Sequence, residues 1–202
     1  MERRSIELSE LRLIQTEANE NGERTAPVIE GHAAVFGPFS EELGGLFKFR
    51  ERIAPGAFTE TLKNDDIRAL WNHNPDYVLG RNKAGTLELE ETPRGLKVRI
   101  HPPDTQYARD LMESMQRGDV SQMSFAFTTQ EESGSTVDGA DVRELRKVQL
   151  FDVSPVTYPA YTQTDVGVRD AAASYEKRCA EIQTANDAKA KLDELKTRIN
   201  LL

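Results

Sequence analysis

Apolar and polar positions alternate in pairs through most of the chain up to Val156, and the spacing changes to three and four residues beyond Asp170. The first pattern marks strands with one buried face, the second a helix with an apolar seam. Ile6, Leu8, Leu11 and Leu13 predict an early strand broken near Ser9 and Glu10, and Val28 to Gly37 predicts a second, with Gly31 at a bulge and Gly37 at its end. Phe47 to Ile53 predicts a third, and Ile67 to Trp71 a fourth that runs into Asn72-His73-Asn74-Pro75. Thr86 to Glu91 and Gly95 to Ile100 alternate cleanly around Thr92-Pro93-Arg94 and predict a hairpin. Glu131 to Ala140 reads as a polar turn, and Val142 to Val153 as a long strand.

Two short helices interrupt this series. Ala57 to Lys63 places Phe58 and Leu62 on one side, and a second helix capped by Asp104 or Thr105 carries a stripe of Tyr107, Ala108, Leu111, Met112 and Met115 before Gly118. After Gly118 comes a strand, Asp119 to Phe127, with Met123, Phe125 and Phe127 on one face and Gln122, Ser124 and Ala126 on the other. The second face is small and polar, so a partner can approach Ser124 closely. Read alone, the stretch more simply describes a half-exposed strand that turns Ser124 to water. Past Asp170 the chain lacks glycine and proline, and Tyr175, Cys179, Ile182, Ala185, Leu192, Leu195 and Ile199 form one narrow seam suited to a partner helix. The expected organisation is a β domain over residues 1–168 and a helical tail over 169–202, hence mainly β with flanking helices, an α+β class.

Composition narrows the function. A net charge of -8 and a pI of about 5.1 argue against nucleic acid, whose phosphates call for clustered Lys and Arg. The single cysteine, Cys179, excludes an intrachain disulfide and a cysteine-rich zinc site. No run reaches the roughly 20 apolar residues of a membrane span, and the charged start Met1-Glu2-Arg3-Arg4 lacks the apolar centre of a secretion signal, so a soluble protein is expected. His, Cys and Asp show no ligand spacing, and no glycine fingerprint for phosphate occurs, so neither metal nor cofactor is expected.

Serine chemistry is the constellation that remains. A serine nucleophile needs a base for its proton and a third group to orient the base. His32, within an apolar strand, and His101, before two prolines, read as structural, whereas His73 at a strand end beside Pro75 is placed to be held rigidly at a rim. Asp152 interrupts Leu150-Phe151-Asp152-Val153, where an unpaired charge turned inward would cost several kcal/mol. It either faces a buried partner such as His73 or points to solvent.

Three ordered motifs carry a resemblance. Trp71-Asn72-His73-Asn74-Pro75-Asp76-Tyr77-Val78-Leu79-Gly80-Arg81 resembles the histidine motif of the prohead maturation proteases of tailed bacteriophages. Gly118 to Phe127 resembles their serine motif, and Leu150 to Ala160 their acidic strand with its Pro-Ala corner. With Ile53-Ala54-Pro55-Gly56-Ala57-Phe58 ahead of the histidine, the resemblance covers roughly residues 5–168. The chain departs from the family where Ala126 stands for a more usual glycine and Asp152 for a frequent glutamate.

The resemblance implies an antiparallel β-barrel similar to the assembly proteases of herpesviruses. It also implies a serine endopeptidase in the host cytoplasm, inside the assembling procapsid, that trims scaffold and major capsid protein and then itself. Carried onto this sequence, Ser124 is the nucleophile, His73 the base and Asp152 its orienter, with Ser121 the rival nucleophile and Arg81 a candidate neighbour of the oxyanion. Self-association is expected, and the tail is then a segment that holds the precursor among scaffold subunits before removal, or an ordinary dimerising helix. The competing reading is a non-catalytic assembly module of the procapsid.

Overall fold

The computed structural model describes residues 1–6, 11–14, 27–40, 42–43 and 48–158. The helical tail expected beyond residue 169 and the boundary at 168 lie outside the described residues. The chain divides into two compact units, one of residues 1–38, 53–131 and 145–161, the other of residues 39–52, 132–144 and 162–202.

The fold is mainly β, with a curled, half-barrel sheet. In chain order the strands are β1 (Glu2–Ile6), β2 (Arg12–Ile14), β3 (Val28–Val35), β4 (Arg50–Ile53), β5 (Arg68–Trp71), β6 (Asn74–Arg81), β7 (Leu87–Glu91), β8 (Gly95–Ile100), β9 (Gln122–Val137) and β10 (Ala140–Val156). One sheet has the order β1-β9-β10-β5-β6 with β4 also on β10, and a four-stranded sheet has the order β2-β3-β8-β7. The helices are α1 (Thr59–Asn64) and α2 (Gln106–Gln116).

The alternation that predicted the strands is the alternation that fills the core of the first unit. Met123, Phe125 and Phe127 of β9 are fully buried. Phe125 stacks on Phe127 at 5.0 Å and meets Phe58, just ahead of α1, edge-on at 5.7 Å. Ile29, Leu96, Ile100 and Leu111 close the other sides. Truncating one such phenylalanine to alanine costs about 3–5 kcal/mol. The hairpin of β7 and β8 has the expected register, Leu87 opposite Ile100 and Leu89 opposite Val98. In β3 the bulge falls between His32 and Ala34, slightly beyond Gly31. There Gly95, at φ 153°, brings its backbone against Ala34 O and Val35 Cα.

Three differences from the sequence reading matter. First, residues 131–137 and 140–141 are also strand, so the polar turn shrinks to Asp138-Gly139, both at positive φ (51° and 78°). Asp-Gly is the preferred pair for a two-residue hairpin turn, and a ladder of backbone hydrogen bonds needs no apolar face to form. Secondly, Asn74–Arg81 is a strand despite Pro75. It lies at the end of the sheet order, and an edge strand tolerates a missing N–H. Thirdly, the sheet departs from the antiparallel pattern where β5 lies parallel to β10, with Asp152 opposite Arg68 and Val153 opposite Ala69.

The second unit is held by charge as well as by pairing. Arg143 is buried between two carboxylates, donating to Glu51 at 2.9 Å and to Glu132 at 2.6 Å, while Arg52 meets Glu144 at 2.5 Å. A buried guanidinium in such a fork is satisfied by its several donors, and loss of either carboxylate leaves it short of charge.

Candidate active site

Parallel pairing of β5 and β10 brings the two carboxyl ends to the same end of the sheet. The chain leaves β5 at Trp71, turns through Asn72 and His73, and returns at Asn74, which pairs with Trp71. Both turn residues are left-handed, with φ of 55° and 56°. That geometry normally falls to Asn-Gly pairs, so a histidine there stores backbone strain of order 1 kcal/mol. Strain of this kind persists only where the surroundings over-determine it. Here they do, because Asn72 is tied to the end of β10 three times. Its N–H donates to Pro155 O at 3.0 Å, its Oδ1 accepts from Thr157 N–H at 2.9 Å, and its Nδ2 donates to Thr157 Oγ1 at 3.3 Å. On the β6 side, Trp71, Tyr77 and Tyr107 of α2 pack in a chain with centroids 5.7 and 5.3 Å apart, and Tyr107 Oη–H donates to Val78 O at 2.6 Å.

So held, the imidazole joins two other elements. His73 Nδ1 is 2.5 Å from Asp152 Oδ1 on β10, and His73 Nε2 is 2.7 Å from Ser124 Oγ on β9. The His73 and Asp152 side chains are only 5% and 7% exposed, so their interaction is little screened by solvent. An ionised Asp152 accepts the Nδ1 proton, which leaves Nε2 as the acceptor facing the hydroxyl. A charge this deep needs further donors. Ser154, fully buried, supplies one, donating to Asp152 Oδ1 at 2.7 Å.

Ser124 has a second acceptor within reach. Strand β1 runs antiparallel to β9 with Ser5 opposite Ser124 and Arg4 opposite Phe125, and Arg4 O lies 3.0 Å from Ser124 Oγ. The hydroxyl carries one proton, so it donates either to Arg4 O or to His73 Nε2. Beside it opens a cleft of about 340 Å³. Its lining comprises the hydrogen-bonded Ser124, His73, Asn72 and Thr157 together with Arg3, Val156 and Tyr158.

The three residues named from the sequence thus come together, and the alternatives do not. Ser121 is exposed just ahead of β9 and lies outside the cleft lining. Arg81 is engaged with Asp66 at 2.6 and 2.7 Å and does not line the cleft beside Ser124, so it is not the neighbour of the oxyanion expected from the sequence. His101 is paired with Glu88 at 2.8 Å, and His32 sits on β3 opposite Lys97, both away from the cleft. Sequence reasoning missed Ser154, Asn72 and the reach of the early strand back to Glu2, where it pairs with β9. Ser154 had a local signal, two residues from Asp152 and therefore on its strand face, whereas the charged start Glu2-Arg3-Arg4 of β1 had none.

A family model, that of the caudovirus prohead serine proteases, matches residues 12–178. The chain belongs to this family. Prohead proteases act in phage procapsid maturation, in the assembling procapsid within the host cell, and membership implies a serine protease. Strand β1 of this prohead protease family member precedes the matched residues. No curated protein and no solved structure matches the chain.

Proposed function

We propose that the chain is a serine endopeptidase that cuts the scaffold and major capsid chains, and then itself, with Ser124 as nucleophile, His73 as general base and Asp152 as orienter. The observation that carries the reading is the unbroken run of contacts from Asp152 Oδ1 through His73 to Ser124 Oγ, at 2.5 and 2.7 Å. In this mechanism Nε2 takes the hydroxyl proton while Oγ bonds to the scissile carbonyl carbon. Protonated His73 is stabilised by the Asp152 carboxylate. It then gives the proton to the departing amine nitrogen as the C–N bond breaks. Water, deprotonated by the same Nε2, hydrolyses the acyl-serine and restores the hydroxyl. Membership in a prohead protease family supports the substrate class, and likeness of the barrel to herpesvirus assembly proteases is part of the same reading.

The test is coexpression of the full chain with the capsid and scaffold proteins of its phage, read by intact mass for wild type, Ser124→Ala and Ser121→Ala. Trimming of the partners, and of the 169–202 tail, is expected in wild type and Ser121→Ala and absent in Ser124→Ala. Trimming that survives Ser124→Ala refutes the assignment, and assembly supported equally by Ser124→Ala with no trimming anywhere points to the non-catalytic module.

A further inference from the structure

The two arginines that open β1 have opposite surroundings. Residues directly opposed in an antiparallel pair project from the same face, and alternate residues of one strand share a face. Arg4, opposite Phe125, is turned to the face of Phe127, lies 5.6 Å from that ring and is neutralised by Glu2 at 2.7 Å. Arg3, opposite Ala126, is turned to the face that carries Ser124 and lines the cleft. Its guanidinium is exposed, and among the described residues no carboxylate pairs with it. Apart from the imidazole, the other lining side chains carry no charge, so Arg3 adds a positive charge to a lining that also holds the apolar Val156 and the ring of Tyr158.

We propose that Arg3 is a specificity-determining residue, selecting segments that carry an aspartate or glutamate close to the bond attacked by Ser124. The inference rests on the protease reading above. Arg3 and Ser124 are diagonal neighbours across the pair, about 7–8 Å apart in ordinary sheet geometry. An extended chain advances about 3.3 Å per residue, which places the selected acid within about two residues of the cut bond. The guanidinium meets a carboxylate through two parallel N–H···O bonds, a fit that a lysine or a glutamine of the substrate cannot offer. Desolvation of Arg3 by the incoming chain strengthens the pair beyond that of an open surface contact.

The experiment uses the full chain coexpressed with its capsid and scaffold proteins, with cut sites mapped by mass spectrometry. An acidic residue within about two positions of each cut is expected from the spacing. Peptides spanning one site are then assayed with that acid kept or changed to lysine. Arg3→Glu is expected to lower kcat/KM on the acidic peptide about tenfold, the scale of one charge-assisted hydrogen bond. The same variant is expected to cut the lysine peptide faster than wild type does, and Arg3→Lys to keep part of the preference. Cut sites without an acid overturn the inference, as does equal slowing of both peptides by Arg3→Glu, which marks Arg3 as a residue of β1 packing only. Absence of any cut by wild type overturns the protease reading itself and removes this inference with it.

Discussion

Replacing Ser154 with alanine removes a single hydroxyl from a fully buried position and, with it, one of the two hydrogen bonds that Asp152 Oδ1 accepts. No charge is removed, and the void left is smaller than a methyl group. A hydrogen bond to a charged acceptor contributes about 1.5–3 kcal/mol. Asp152 keeps its bond to His73, so about half of that is expected at the transition state, a fall in kcat of about 4- to 13-fold. KM should stay near the wild-type value, since Ser154 does not line the cleft. The assay is kcat and KM on a peptide spanning a mapped cut site, with a urea midpoint on the same preparations. Ser154→Thr retains the donor and should recover most of the rate, which a loss of packing alone does not explain. A Ser154→Ala enzyme with kcat within twofold of wild type would falsify the positioning role.

Two predictions concern the scaffold. A Cβ added at Gly95 falls 2.0 Å from Ala34 O and 2.8 Å from Val35 Cα, at a backbone φ of 153°, so Gly95→Ala should destabilise by roughly 3 kcal/mol or more. Urea unfolding measures this, and a loss below about 1 kcal/mol contradicts the geometry. Asp66 is held at a pKa of about 2, below its usual 3.8, chiefly by the Arg81 hydrogen bond with help from the charges of Arg68 and Arg81, against an opposing desolvation. A depressed carboxylate stabilises the fold above its unfolded pKa and ceases to do so as pH falls through the folded one. Asp66→Asn should therefore be less stable than wild type at pH 5, with the gap closing as both approach about pH 2; a gap that is constant with pH refutes the linkage.

The legible parts of the chain were those where a side-chain pattern reports burial. Leu87, Leu89, Val98 and Ile100 alternate because one face of their hairpin is core, and Ala108 and Leu111 recur because one side of α2 is. Residues 132–137 gave no such signal, since their strand is held by its ladder and by the Glu132–Arg143 pair, and Pro75 concealed an edge strand that does not need its N–H. The three residues of the candidate site were found by residue type and family motif. Their support was not legible, because the register of β1 on β9 and the Asn72 contacts link positions far apart in the chain.

Those separations also set an order in time. The His73–Ser124 contact closes 51 residues of chain, His73–Asp152 closes 79, and the Arg4 carbonyl meets Ser124 across 120. Such closures spend chain entropy before any contact repays it, so they come late and slowly in folding. On the ribosome the first strand emerges long before its partner strand, and the carboxylate of Asp152 emerges after both. On the proposed mechanism, a growing or newly released chain is a poor protease, and the interval needed to knit its most distant contacts is a delay during which subunits can gather around it uncut.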